Sequence, residues 1–66
     1  MNMMNYIIIE DELFGARMLA EAIGRLRPSY RLLCILGTVR ESVDYFRRHP
    51  DDDSLVFMDV ELSDGQ

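Results

Sequence analysis

A chain of 66 residues with net charge −5 and pI near 4.5 forms one small domain at most, because a chain this short buries only about 60% of its unfolded surface. All seven of its basic residues are arginines, and apart from Arg47-Arg48 they are dispersed, which disfavours nucleic acid and favours a cation or a cationic protein surface as partner. A composition 48% hydrophobic and 29% charged excludes disorder, the lone Cys34 excludes a disulfide framework, and the lack of a signal peptide or an apolar run of about 20 residues points to the cytoplasm.

The first element is a strand over Tyr6-Ile7-Ile8-Ile9, apolar on both faces and ending in Glu10-Asp11-Glu12. Met3 and Met4 before it read as a mobile terminus. From Leu13 the period changes to three and four: Phe14, Met18, Leu19, Ala22, Ile23 and Leu26 share one face, with Arg17, Glu21 and Arg25 opposite. This predicts an amphipathic helix over 13–27 with Met18 in the core. The acids before it lie at its positive dipole end, Pro28 stops it, and Gly24 is a weak spot or a point of close packing.

Arg31 to Gly37 reads as a second strand, Leu32 to Leu36 buried on both sides and Cys34 an inert buried thiol. Thr38-Val39-Arg40-Glu41 is a capping box opening a helix over 39–48, with Val39, Val43 and Phe46 on its inner face and a stop at His49-Pro50. Asp51-Asp52-Asp53-Ser54 reads as a solvated loop. Leu55-Val56-Phe57-Met58 is then a third strand buried on both faces, ending at Asp59, with turn chemistry at Asp64-Gly65.

The order β-α-β-α-β, with apolar strands joined by helices, predicts a parallel sheet with right-handed crossovers. Strand order 2-1-3 sends the helices to opposite faces and opens a crevice at the carboxyl ends of strands 1 and 3. Glu10, Asp11 and Asp59 line that crevice. Three carboxylates at one point repel unless a cation joins them, and oxygen-only ligands at an open rim suit Mg²⁺. An Asp59 oxygen in line with a metal-bound phosphoryl group attacks it to give an acyl phosphate.

Ile7-Ile8-Ile9-Glu10-Asp11-Glu12, Leu13-Phe14-Gly15-Ala16-Arg17 and Phe57-Met58-Asp59-Val60-Glu61-Leu62-Ser63-Asp64-Gly65 together resemble the first half of a response-regulator receiver domain. The wording around Asp59 is most similar to receivers that carry a LytTR-type DNA-binding domain. The resemblance covers nearly all of 5–65 and implies a three-layer flavodoxin-like fold, here over its β1-α1-β2-α2-β3 half. It implies Asp59 as phosphoacceptor and Mg²⁺ held directly by Asp11 and Asp59, by Glu10 largely through water, and by the backbone carbonyl of Glu61. It implies a sensor histidine kinase or a small acyl phosphate as donor, and DNA contacted only through an output domain outside residues 1–66. A receiver's later Thr or Ser and its Lys fall beyond Gln66, so this half is expected to bind the metal and accept phosphate weakly at most.

Two rivals remain. A haloacid-dehalogenase-type phosphatase also uses an Asp at a strand end but wants Asp-x-Asp-x-Thr, and Asp59-Val60-Glu61-Leu62-Ser63 matches poorly. A structural module with an idle acidic crevice would self-associate, and the unpaired edge at Leu55 to Met58 predicts a homodimer or larger assembly in either case.

Overall fold

The computed structural model describes residues 3–58 of the chain. Three strands and two helices alternate: β1 (Met4–Ile9), α1 (Leu13–Leu26), β2 (Tyr30–Leu36), α2 (Val39–Arg48) and β3 (Leu55–Met58). The strands form one parallel sheet in the order β2-β1-β3, the order expected above. None of the helices among the described residues is long and apolar enough to cross a membrane.

β1, the central strand, is the best buried of the three. Tyr6, Ile7 and Ile8 are all buried, the two isoleucines completely. Alternation along the strand turns Tyr6 and Ile8 toward α1, where they join Ala16 and Ile23 in one cluster with Leu19, Ala20, Tyr30, Leu32, Ile35 and Phe57 around it. The Tyr6 ring reaches both neighbouring strands, 6.3 Å from Tyr30 and edge-on to Phe57 at 5.6 Å. Such tilted aromatic pairs contribute about 0.5–1.5 kcal/mol each beyond the area they bury.

β2 starts one residue earlier than the apolar run suggests, at Tyr30, and its register on β1 slips once. Tyr6 pairs with Leu32 and Ile7 with Cys34, so Leu33 is skipped. The extra residue keeps Leu32 and Ile35 both on the α1 side, three positions apart, which strict alternation forbids.

Several side chains expected in the core are outside it. α1 packs through Ala16, Leu19, Ala20 and Ile23, while Phe14 (73% exposed), Met18 and Leu26 are exposed. Three-and-four spacing fits both stripes, and the sheet takes the one with small residues because Ala16 lets the helix lie close. Met4 is the first residue of β1, paired with Tyr30, and not part of a free terminus. α2 buries nothing completely: Val39, Val43 and Phe46 are exposed. β3, expected to be covered on both faces, leaves Leu55, Val56 and Met58 exposed and only Phe57 half-buried. Neither helix makes more than marginal contact with it.

The helix ends follow local chemistry. In α2 the Thr38 hydroxyl accepts from the Glu41 N–H at 3.0 Å, and Glu41 Oε1 accepts from the Gly37 N–H at 2.7 Å. The capping box is therefore present, its return bond falling one residue before the cap. α1 closes when the Arg27 N–H, ahead of Pro28, donates to the Ile23 carbonyl at 2.7 Å. A Cβ on Gly24 would meet nothing within 4 Å, so the close-packing explanation falls away and only the helix penalty is left. Gly24→Ala is expected to stabilise the chain by about 0.5–1 kcal/mol, read as a raised midpoint in urea with unchanged slope.

Candidate functional site

The carboxyl edge of the sheet is set by β1, whose last residue pairs with the last residue of each neighbour: Ile9 with Leu36 and Ile9 with Met58. All three strands thus finish level. The Glu10 N–H extends the ladder by donating to the Leu36 carbonyl at 3.0 Å, so Glu10 leaves the sheet with its backbone fixed. Asp11 follows in the bend before α1, exposed. Beyond β2 the same edge carries Gly37 and Thr38, and a Cβ on Gly37 would sit 3.8 Å from the Glu10 carbonyl oxygen.

Glu10 has a task that spacing alone does not reveal. Its Oε2 accepts from the Glu12 N–H at 3.1 Å, and its side chain lies against Gly15, whose notional Cβ would be 3.9 Å from Glu10 Cδ. Glu12, the α1 N-cap, makes no capping bond with its own side chain. Glu10 therefore satisfies a backbone donor at the helix entrance, and a small residue at position 15 leaves it room. One carboxylate oxygen is committed there, while the other can still serve a ligand.

Among the described residues no three His, Cys, Asp or Glu side chains come close enough to share a metal ion. Two of the expected Mg²⁺ ligands, Glu10 and Asp11, lie consecutively at the carboxyl edge. The other two, Asp59 and Glu61, lie outside the described residues. The donors present are carboxylate oxygens without a sulfur or imidazole beside them, a set that suits Mg²⁺.

A second polar cluster lies between α2 and β3, where the acidic run reads only as solvated surface. Asp52 Oδ2 accepts from the Tyr45 hydroxyl at 2.7 Å, and Oδ1 accepts from the Ser54 N–H at 2.8 Å and the Ser54 hydroxyl at 2.6 Å. The Asp52 N–H itself donates to the His49 carbonyl at 3.1 Å. Asp-x-Ser at a turn is the available sequence signal for half of this. The Tyr45 bond spans seven positions and has none.

These bonds lower the Asp52 pKa, the Ser54 hydroxyl first and the Tyr45 hydroxyl next, because both stabilise its charged form. The Asp52 bond pushes Tyr45 up to about 12, with desolvation adding to it. His49, expected only as a helix stop, does cap α2 and also stacks on Tyr45 at 4.2 Å. Cys34, expected to be a buried thiol, is only half-buried, and desolvation, then Asp52, raises its pKa.

Comparison of the chain with protein-family models, with curated proteins and with solved structures finds no match.

Proposed function

We propose that this chain is the acceptor half of a flavodoxin-like receiver domain from a bacterial two-component system. In this reading Asp59 takes a phosphoryl group from a histidine kinase in a Mg²⁺-dependent step, and the signal passes to an output domain, a DNA-binding one by the likeness to LytTR-type regulators. One observation carries it: β1 and β3 are adjacent, parallel and level at Ile9 and Met58. Glu10-Asp11 therefore follows β1 at the edge where the described span of β3 ends, and Asp59 is the next residue in sequence after that span. Open parallel sheets bind ligands at that edge.

In the chemistry, an Asp59 carboxylate oxygen attacks phosphorus. The bond from phosphorus to the donor atom breaks, its electron pair stays with the donor, and an acyl phosphate is left on Asp59. Asp11 directly, Glu10 largely through water, and the Glu61 carbonyl would hold the metal. When bound, Mg²⁺ neutralises the clustered carboxylates and the phosphoryl oxygens. Glu10 also holds the α1 entrance through the Glu12 N–H, which fixes where Asp11 begins its turn.

The test is intact-mass spectrometry of the 66-residue chain after incubation with acetyl phosphate. A single phosphoryl increment on a minor fraction of the chain is expected with Mg²⁺, lost in chelator and lost in Asp59→Asn. Equal labelling of Asp59→Asn would assign the phosphate elsewhere. Sustained release of inorganic phosphate would favour the dehalogenase-type phosphatase, and no label under any condition would leave the structural module. The exposure of Leu55, Val56 and Met58 is what favours that second reading.

A further inference from the structure

We propose that β3 opens from the sheet independently of the other strands, and that Asp52 is the latch that keeps it closed. Apolar packing fastens this strand poorly. Of Leu55, Val56, Phe57 and Met58, only Phe57 joins the core cluster, its ring edge-on to Tyr6 at 5.6 Å, and the other three are exposed. Over the described residues its ladder with β1 runs from Tyr6 and Leu55 to Ile9 and Met58, shorter than the ladder to β2, which starts at Met4 and Tyr30. A segment with few buried apolar contacts opens at low free energy while the rest of a domain stays folded.

What β3 has instead is a polar attachment at its entrance. Asp52 accepts from the Tyr45 hydroxyl at 2.7 Å through Oδ2, and from the Ser54 N–H and hydroxyl at 2.8 and 2.6 Å through Oδ1. Ser54 directly precedes Leu55, so one carboxylate ties the start of β3 to α2. The α2 end of the tie is itself anchored. The Tyr45 ring stacks on His49 at 4.2 Å and meets Phe46 edge-on at 5.3 Å, and the Asp52 N–H donates to the His49 carbonyl.

The latch works by holding Ser54 where Leu55 can meet Tyr6. With the bonds made, closing β3 orders only 55–58. Without them the segment 49–54 must be ordered as well, at an entropic cost for every residue fixed. Under the proposed function β3 precedes Asp59 in sequence, and the latch then decides how often that strand is in place. The opening itself needs no phosphate, so it stands or falls apart from that function.

Amide hydrogen exchange of the full chain, followed by NMR at increasing low concentrations of urea, tests this. The amides of Leu55 to Met58 are expected to exchange through an opening with a smaller urea dependence than those of β2, because it exposes less surface. Tyr45→Phe removes one hydroxyl and keeps the ring, and should speed β3 exchange about three- to tenfold, with Asp52→Ala doing at least as much. Gly24→Ala lies in α1, outside the part that opens. It should slow β2 exchange about two- to fivefold and leave β3 exchange unchanged. Should Asp52→Ala fail to fold, Tyr45→Phe and the unaltered chain decide. β3 exchange with the urea dependence of β2, slowed together with β2 by Gly24→Ala, or unmoved by Tyr45→Phe would each overturn the proposal.

Discussion

Ile8→Ala is expected to abolish the cooperative thermal transition of this chain. Ile8 is completely buried at the centre of the one strand that, among the described residues, has neighbours on both sides, in the cluster that joins α1 to all three strands. Truncating a buried Ile to Ala costs about 2–5 kcal/mol, through lost transfer free energy and the cavity left behind. A core in a chain below about 70 residues rarely supplies more than about 3–5 kcal/mol in total. The one loss is as large as the whole reserve, so the variant should show no sigmoidal melt by far-ultraviolet circular dichroism. Met18→Ala is the control. Met18 has a similar volume but stands half in solvent on α1, and such substitutions stay within about 0.5 kcal/mol. If Ile8→Ala melts cooperatively near the parent midpoint, the core described here is not what holds the chain together.

That contrast between Ile8 and Met18 also shows how far sequence reaches. Strand against helix is decided by period, which is local, so the five elements and the capping box at Thr38 and Glu41 follow from reading along the chain, while the order β2-β1-β3 rests on the packing rule for helical crossovers and on the receiver likeness. Which side of a helix is inside depends on what lies across from it. In α1 two stripes of suitable spacing compete, and the choice of Ala16, Leu19, Ala20 and Ile23 over Phe14, Met18 and Leu26 is made by how closely the helix can approach Tyr6 and Ile8. For β3, four apolar letters imply two covers, but burial needs elements to do the covering, and only Phe57 packs against the cluster that includes α1. The candidate site divides the same way. That Glu10 and Asp11 follow a strand end is legible. That Glu10 spends an oxygen on the Glu12 N–H depends on the angle at which the chain turns, and no spacing encodes that.

The Tyr45–Asp52 bond predicts an alkaline titration that one substitution should move. Of the three tyrosines in the chain, Tyr45 is held at about 12 against an ordinary 10.0 because its hydroxyl donates to the Asp52 carboxylate. Ionising the phenol removes the donated proton and sets two negative charges side by side. The folded pKa is raised, so this contribution to stability is complete below the unfolded value of 10.0 and is lost as pH rises toward about 12. Asp52 has the opposite sign. Its folded pKa is lowered, so its contribution is present above the ordinary carboxylate value and is lost as pH falls through the folded one. One hydrogen bond thus weakens at both ends of the pH scale and is whole between them. In absorbance at the tyrosinate band, Tyr45→Phe should delete a wave at about 12, and Asp52→Ala should return that wave toward 10.0, the ordinary value. A late wave that survives either change would place the strong bond on another residue. It would also remove the Asp52 link from Tyr45 in α2 to Ser54 just ahead of β3.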